Sequence, residues 1–321
     1  MKFKEQQLKD YAQPLSPTEI EKCKNAIRMV RDAMKETGFI DDSSDIQNFI
    51  EDTFTFGTTL RNRNNNREVK LFLQGSFANN TNVKNESDVD IAIILESTFR
   101  TKYRNGITGS FYGYCDSSDS LKAFKDDVQL ALEYKFGNDV ERKNKSIKIN
   151  GNTYRVNTDT VPCMRYKDYS NDYSNDRDNC IKGIVICPDN GGEIINYPEL
   201  HIQNGKAKNN STNYLFKKMV RIMKKMRYLM QELGYPGANK VSSFGLESLL
   251  WNIPDKIYAK YSPVYRFTFD ELIKYVQRES INNYKEANGI KKLFPTQQIL
   301  DEYKRFIDDI NNFYEYDIKE L

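Results

Sequence analysis

The sequence predicts an α+β protein in which a mixed α/β half precedes a helical half. Short β-branched and aliphatic runs, separated by turn signals, occupy roughly the first 200 positions. From Thr212 onward, apolar residues recur at helical spacing. With 39% hydrophobic residues among 321, the chain can form two packed units, which we place at residues 1–205 and 206–321.

The first predicted element is a helix that begins at Ser16. Ser16 fits the N-cap position, the next residue is Pro, and Glu19 completes a capping box. Apolar residues then recur at helical spacing as far as Gly38, which ends the helix. A second helix is predicted over residues 45–60, and the Arg- and Asn-rich stretch 61–67 is predicted to be a polar loop.

β-strands are predicted next, together with one helix. Residues 69–74 and 89–95 form two strands with a turn-rich stretch between them, and residues 118–136 form a helix with one apolar stripe. Two hairpins are predicted, from residues 146–149 with 153–161 and from residues 181–186 with 193–195. The polar stretch 167–179 is predicted to be a mobile loop over the functional site.

The helical half contains four predicted helices with recognisable start signals. They begin at or near Thr212, Ser243, Thr268 and Thr296. The first runs to about residue 233 and ends at Gly234, and the second continues through Trp251. Thr268, followed three residues later by Glu271, is predicted to form a capping box.

Composition excludes several classes of protein. The 48 basic and 45 acidic residues nearly balance, so any affinity for phosphate must be local. No apolar run is long enough to span a membrane and no secretory signal is visible, which predicts a cytoplasmic protein. Five scattered Cys and the single His201 argue against a structural zinc site, and we interpret His201 as a hydrogen-bonded structural residue.

The most informative stretch is residues 71–95, in which Gly75 and Ser76 precede Asp88 and Asp90. Two carboxylates two residues apart on a strand share a face. Without a basic neighbour they would repel each other, so we expect a divalent cation such as magnesium between them. A solvated strand end is the alternative, but the apolar run after Asp90 predicts a buried central strand, where acids are more often functional.

Two further features would complete a site that handles phosphate. Gly75 allows the backbone to approach a phosphate closely and Ser76 can donate hydrogen bonds to it, although a Gly-Ser pair alone is an ordinary turn. Asp159 lies in a β-branched segment that could pair with the strand of Asp90, which makes it the candidate third metal ligand. The alternative is an acid on an edge strand.

Basic side chains follow one face of the first helix in the helical half. Lys217, Arg221 and Lys224 lie at positions i, i+4 and i+7 and therefore share a face, opposite a stripe of methionines. A charge run of this kind is usually a solvated face. Facing a carboxylate–metal site, the same face would bind the triphosphate of a nucleotide.

The motif Ser242-Ser243-Phe244 opens the next helix. Its hydroxyls could contact a sugar or phosphate, and Phe244 could stack on a base, which is worth roughly 1–3 kcal/mol. The alternative is a helix N-cap beside a core Phe, and the two interpretations are compatible.

In this order, the motifs resemble those of the cGAS/DncV-like nucleotidyltransferases, a branch of the polymerase-β-like superfamily. The matching segments are residues 74–90, 157–163, 197–225 and 241–250. The resemblance implies a polymerase-β-like nucleotidyltransferase core, with a mixed sheet and flanking helices, followed by a C-terminal helical lobe. It places the active site in the cleft between the two.

The resemblance also implies which residues act. Asp88, Asp90 and Asp159 match the family's catalytic metal carboxylates, which hold two Mg²⁺ ions, and Mn²⁺ can substitute. The implied nucleotide-binding residues are Gln74, Gly75, Ser76, Lys217, Lys224, Ser242, Ser243 and Phe244.

The implied activity is to join nucleoside triphosphates, ATP among them, into a cyclic di- or trinucleotide with release of pyrophosphate. In the family this product is an antiphage signal in bacteria that a downstream effector recognises. Animal relatives carry a zinc-binding insertion that this chain lacks, so activation by DNA is not expected. A linear oligonucleotide synthase or a nucleotide-adding toxin or antitoxin is the alternative, and an inactive nucleotide-sensing module ranks last. The bases, ring size, linkage and oligomeric state stay open.

Overall fold

A computed structural model describes residues 2–41, 46–51, 53–83 and 88–315. Its contacts divide the chain into two compact units. The sheet unit comprises Ser16–Ala78 and Asp88–Glu199, and the helical unit comprises Met1–Leu15, Asn79–Ser87 and Leu200–Leu321. The division at Leu200 falls close to the predicted boundary after residue 205. The two earlier pieces of the helical unit had no signal in the sequence.

The described residues of the sheet unit form ten strands in one mixed sheet. These are β1 (Ile40–Asp41), β2 (Gln47–Asn48), β3 (Phe56–Asn62), β4 (Arg67–Gln74), β5 (Val89–Tyr103), β6 (Val140–Arg142), β7 (Ile147–Ile149), β8 (Thr158–Tyr169), β9 (Ile181–Ile186) and β10 (Ile194–Asn196). Their order is β1-β3-β4-β5-β8-β7-β6, with β2 beside β3, β9 beside β8 and β10 beside β9. Strands β5 and β8 are parallel, and the other pairs are antiparallel.

Strand β5 lies between β4 and β8 and provides the buried centre of the sheet. The residues from Ile91 to Leu95 are 0% exposed, as their apolar run predicted. The ladder between β5 and β8 is interrupted once, because Leu95 lies opposite Met164 whereas Phe99 lies opposite the next residue, Arg165. This shift in register is a bulge in β5.

The helix predicted over residues 45–60 is wrong. Its described part contains β2 and most of β3, which pairs with β4 from Gly57 to Asn62; Asp45 and Asp52 lie outside the described residues. Four threonines and two phenylalanines in residues 53–59 favour an extended backbone. The strand predicted to start at residue 153 starts instead at Thr158. The remaining predicted strands are confirmed.

The helices of the described chain are α1 (Glu5–Tyr11), α2 (Pro17–Lys35), α3 (Gly75–Ala78), α4 (Leu121–Phe136), α5 (Pro198–Ser211), α6 (Phe216–Glu232), α7 (Ser243–Trp251), α8 (Asp255–Ala259), α9 (Tyr265–Arg278) and α10 (Gln297–Glu315). The capping box of α2 is confirmed. The Glu19 backbone N–H donates to the Ser16 hydroxyl at 3.3 Å, and the Ser16 N–H donates to the Glu19 carboxylate at 2.8 Å. Helix α6 begins later than predicted, at Phe216, whose N–H donates to the Thr212 hydroxyl.

The capping box predicted at Thr268 is wrong. Thr268 lies inside α9, and its buried hydroxyl has no hydrogen-bond partner among the described residues. The start of α9 is capped instead by Glu5, whose carboxylate accepts the backbone N–H groups of Tyr265 and Arg266, each at 3.0 Å. A cap supplied from 260 positions away leaves no local signal in the sequence.

The helical unit has its own apolar core. Helices α6, α7, α9 and α10 contribute most of it, and the methionine stripe of α6 is buried there, with Met219, Met226 and Met230 each 0% exposed. Within the part of the chain that the structure describes, no helix is both long and apolar enough to cross a membrane.

Candidate active site

The turn after β4 brings the backbone close to a carboxylate. Gly75 begins α3 directly after Gln74, the last residue of β4. Its φ of +66° is a conformation that side-chain-bearing residues rarely adopt. A Cβ at this position would lie 2.3 Å from Oδ2 of Asp90. Two independent constraints therefore require glycine here.

Strand register places the predicted residues side by side. Asp90 lies opposite both Gln74 of β4 and Asp159 of β8, which confirms the predicted neighbourhood of the two strands. Asp159 in turn lies opposite Lys148 of β7. Paired residues project from the same face of a sheet. Asp88, two residues before Asp90, shares this face. We call the three partly exposed residues Asp88, Asp90 and Asp159 the carboxylate row.

A lysine missed by the sequence analysis neutralises part of this row. The ammonium of Lys148 lies 3.3 Å from Oδ2 of Asp88, and the Ser146 hydroxyl donates to Oδ1 of Asp159 at 3.4 Å. The aspartates therefore have a basic neighbour, which reduces their mutual repulsion. Ser146 and Lys148 alternate with buried isoleucines, so the sequence does indicate that they share a face. It does not reveal which strand they meet.

Burial raises the pKa of Asp159 above its ordinary value, and the Asp88 carboxylate raises it further. Lys148 and the Ser146 hydroxyl act in the opposite direction. A carboxyl that is both desolvated and beside a like charge is stabilised in its ionised form by an added cation. The row is therefore an environment that favours cation binding.

The donor set suits a hard divalent cation, because carboxylate oxygens are the ligands that magnesium prefers. As the side chains stand, no group of three or more His, Cys, Asp or Glu within the described ranges is arranged to hold a metal ion. Asp88 is engaged by Lys148. Coordination by all three aspartates therefore requires Asp88 to exchange its ammonium partner for the ion, and the metal ligands stay a prediction.

The polar stretch 167–179 does not form the predicted loop over the site. Residues 167–169 complete β8, and the turn that follows is held by Asp172, whose carboxylate accepts hydrogen bonds from three side chains around it. Asp159 and Tyr169 lie towards opposite ends of β8, about 33 Å apart at the usual rise per strand residue. The stretch is thus far from the carboxylate row.

In the helical unit, the basic face of α6 is buried. Lys217, Arg221 and Lys224 are 8%, 4% and 3% exposed, which excludes the interpretation as a solvated face. The ammonium of Lys217 has no hydrogen-bond or ion-pair partner in the described chain, and burial lowers its pKa to about 8. Lys224 differs, because it donates to Thr81 and to Glu247.

The serine motif caps α7, as one of its two interpretations predicted. The Ser242 hydroxyl accepts the Gly245 N–H at 3.0 Å, and Ser243 beside it is partly exposed. Phe244 is not a core residue, because 37% of it is exposed. His201 packs edge-on against the Phe244 ring, with centroids 4.9 Å apart, and is buried as the structural interpretation predicted.

Two family models match this chain. The nucleotidyltransferase domain model matches residues 58–173, and the model of the cGAS/DncV-like nucleotidyltransferase C-terminal helical domain matches residues 203–315. A cyclic GMP-AMP synthase of Staphylococcus schleiferi is 46% identical over 319 residues, which cover 98% of each chain. The chain belongs to the cGAS/DncV-like nucleotidyltransferase family.

Solved structures of other cGAS/DncV-like nucleotidyltransferases share the fold. A Rhodothermus marinus c-UMP-AMP synthase with Apcpp and Upnpp has a TM-score of 0.78 at 25% identity and covers 99% of both chains. An Elizabethkingia meningoseptica cyclic dinucleotide synthase with GTP and Apcpp has a TM-score of 0.73 at 31% identity, covering 98% of this chain and 100% of that one. The predicted fold, family and enzyme class are confirmed: this is a nucleotidyltransferase in a family of cyclic nucleotide synthases.

Proposed function

We propose that this enzyme joins ATP and GTP into a cyclic dinucleotide and releases pyrophosphate. The S. schleiferi relative, a cyclic GMP-AMP synthase, supports this pair of substrates. Both solved structures contain Apcpp, whereas the second nucleotide is Upnpp in one and GTP in the other. ATP is therefore the substrate best supported, and GTP is the partner favoured by the high identity to the staphylococcal synthase.

The observation that carries the chemistry is the register of β4, β5 and β8, which sets Asp90 beside Asp159 next to the turn at Gly75. In the proposal, Asp88, Asp90 and Asp159 hold two Mg²⁺ ions, for which Mn²⁺ can substitute. Such ions polarise the phosphate and lower the pKa of the attacking hydroxyl. The carboxylates supply hard oxygen ligands to these ions and fix the spacing of those ligands.

The remaining residues orient and bind. Ser76 donates to the leaving phosphates, and the Lys217 ammonium, which lacks a protein partner in the described chain, binds the triphosphate. Gln74 lines the nucleotide pocket, and the exposed ring of Phe244 stacks on a base beside the serine hydroxyls of the α7 start. Alignment and electrostatics of this kind account for most of the catalysis of phosphoryl transfer.

The chemical step forms one P–O bond and breaks another. The ribose hydroxyl of the acceptor attacks the α-phosphorus of the donor, its proton passes to the Asp159 carboxylate, and pyrophosphate leaves. The linear intermediate then turns in the site, and a second attack of the same kind closes the ring.

The product would act as a signal in bacterial antiphage defence and would be read by a downstream effector. Both substrates are abundant in the cytoplasm, so the proposed function places the enzyme there. Neither DNA nor a membrane is needed for the reaction as written.

Mass spectrometry of the products tests the proposal. The purified chain is incubated with all four nucleoside triphosphates and Mg²⁺ or Mn²⁺, then treated with phosphatase, and a parallel sample contains EDTA. We expect a phosphatase-resistant cyclic GMP–AMP that is absent with EDTA. Products whose ends are sensitive to phosphatase would identify a linear synthase instead, and a cyclic product without guanine would overturn the choice of GTP.

A further inference from the structure

Strand β7 presents a lysine to the carboxylate row. Lys148 lies directly opposite Asp159 in the pairing of β7 with β8, and its ammonium lies 3.3 Å from Oδ2 of Asp88. The residues on either side, Ile147 and Ile149, are 0% and 1% exposed. A slip of β7 by one residue would bury the lysine and expose both isoleucines, so the register fixes the face on which the ammonium lies.

A buried cation on α4 holds the turn that precedes β7. The Lys125 ammonium donates to the carbonyl oxygens of Lys143 at 3.0 Å and of Asn144 at 2.9 Å. It also lies 3.1 Å from Oδ1 of Asp189, whose backbone N–H donates to the same Asn144 carbonyl at 2.9 Å. Lys125 is 2% exposed, and buried polar networks whose members are all bonded make the surrounding structure rigid. The strand that carries Lys148 is therefore anchored at its start.

The ion pair between Lys148 and Asp88 is open to water. The Lys148 side chain is 26% exposed and that of Asp88 is 38% exposed. Ion pairs of this kind contribute little to the stability of a fold, because solvent screens them. We therefore expect the ammonium to affect other charges that enter the row more than it affects folding.

The formal charges show why a substrate matters to this set. With all three carboxylates ionised, a single divalent ion neutralises the row together with the Lys148 ammonium. A second ion would make the set positive and would be repelled. The triphosphate of a nucleotide supplies the negative charge that two ions need. A row without Lys148, in contrast, stays negative after the first ion and attracts the second without a nucleotide.

Asp88 can bind a metal ion only if it releases Lys148. The released ammonium would lose this acceptor and would lie beside a charge of its own sign, because the strand that carries it is anchored. Phosphate oxygens are strong acceptors for an ammonium. A nucleotide in the site would therefore give Lys148 a new acceptor in exchange for Asp88.

We propose that Lys148 couples the binding of metal ions to the binding of a nucleotide. Without a substrate, its ammonium holds Asp88 and opposes the ions. With a substrate, it passes to a phosphate oxygen and frees Asp88. The full set of ions then assembles only when a triphosphate is present. This inference rests on the proposed function, which assigns two ions to the row.

Binding of Mn²⁺, measured by electron paramagnetic resonance, tests the proposal without any need for turnover. The ion is titrated into the purified metal-free chain, once alone and once with saturating Apcpp, and the Mn²⁺ that Apcpp binds in solution is measured separately. Lys148→Met removes the charge, and Lys148→Arg keeps it. Lys145→Met is the matched control, because Lys145 is an exposed lysine in the turn of the same hairpin of β6 and β7.

For Lys148→Met we expect the affinity for Mn²⁺ without nucleotide to rise by about tenfold or more, because the competing cation is gone. With Apcpp, the affinities of this variant and the wild type should agree within about threefold, so the gain in Mn²⁺ affinity that Apcpp causes becomes smaller. By reciprocity, the gain in Apcpp affinity that Mn²⁺ causes must become smaller by the same factor.

The other variants separate a specific role of Lys148 from a general effect of charge or folding. Lys148→Arg and Lys145→Met should both keep the wild-type dependence of Mn²⁺ binding on Apcpp. Lys148→Gln, which can still donate to Asp88 but is uncharged, should reproduce the result of Lys148→Met. In EDTA, all variants should melt within about 4 °C of the wild type, because the ion pair contributes little to stability.

The inference is overturned if Lys148→Met and Lys148→Gln bind Mn²⁺ without nucleotide as the wild type does. An equal change in Lys145→Met would overturn it as well, because loss of any nearby positive charge would then suffice. In both cases the proposed function stands as long as the wild type binds Mn²⁺ together with Apcpp. If the wild type binds no Mn²⁺ even with Apcpp, the metal ions of the proposed function and this inference fail together.

Discussion

The carboxylate row and the basic face of α6 differ in how a sequence pattern becomes geometry. In the row, strand pairing fixes which side chains are neighbours, and every member stays partly exposed. On α6, Lys217, Arg221 and Lys224 share a face as their spacing predicts, but all are buried and they have different partners. On a strand, residue spacing together with the register therefore predicts which side chains are neighbours. On a helix, spacing predicts only which side chains share a face, and not what that face contacts.

The first prediction tests whether the carboxylate row is catalytic. Asp88→Asn combined with Asp90→Asn should lower pyrophosphate release by at least about a thousandfold, because two of the proposed metal ligands lose their charge. Release from mixed nucleoside triphosphates measures the effect. Asp168→Asn, a carboxylate at the far end of β8 that pairs with Lys102, is the control and should keep wild-type turnover. Near-normal turnover in the double variant would refute the assignment.

The second prediction concerns the basic face of α6 and the dependence of ATP affinity on pH. A lysine whose pKa is lowered loses its charge as pH rises through that value, and burial brings the pKa of Lys217 to about 8, with Glu247 opposing and Arg221 and Lys206 adding to the shift. Affinity for ATP should therefore fall by about tenfold as the pH rises from about 7 to about 9.5. Lys217→Arg should keep its affinity over that range. Isothermal titration of both proteins checks this, and parallel profiles would contradict it.

The third prediction compares two possible caps of α9 by their effect on the free energy of unfolding. Glu5→Ala removes the acceptor for two N–H groups at the start of α9 and should cost about 1 kcal/mol of the free energy of unfolding. Thr268→Val replaces a buried hydroxyl that has no partner in the described chain, so it should be neutral or slightly stabilising. Urea unfolding measures both. The reverse ranking would restore the capping box that the sequence indicated.

The smallest expected effect concerns the charge of the row itself. A carboxyl with a raised pKa binds its proton more tightly in the folded state, so stability is lost as pH rises through the folded pKa. In EDTA at neutral pH, Asp159→Asn should melt about 1–2 °C above wild type. The gap should close as the pH falls through the raised pKa, because the wild-type carboxyl then becomes protonated. A gap that does not change with pH would rule out this cause.

Those parts of the fold whose signals are local were predictable. The capping box at Ser16, the apolar run from Ile91 to Leu95 and the start of α7 all depend on residues within a few positions of one another. The neighbourhood of the strands of Asp90 and Asp159 was also predicted, because the residues around Asp159 are β-branched. The resemblance to a family added the interpretation of the first half as a nucleotidyltransferase core.

Other features depend on distant partners, and the sequence did not show them. Residues 45–60 contain enough apolar positions for a helix, but pairing of β3 with β4 decided otherwise. Lys148 was missed because its importance comes from the strand beside it. Lys217 and Lys224 both lie on the basic face of α6, and only the fold shows that the Lys224 ammonium has protein acceptors whereas that of Lys217 has none in the described chain.

The bulge in β5 between Leu95 and Phe99 separates two parts of its pairing with β8. A slip of β8 by one residue along β5 would turn Asp159 to the opposite side of the sheet and abolish the chemistry. The bulge lies between the aspartates and the outer ends of both strands, and a bulge disrupts the ladder only locally. The irregular pairing is therefore kept away from the end of the sheet where Asp90 lies opposite Asp159.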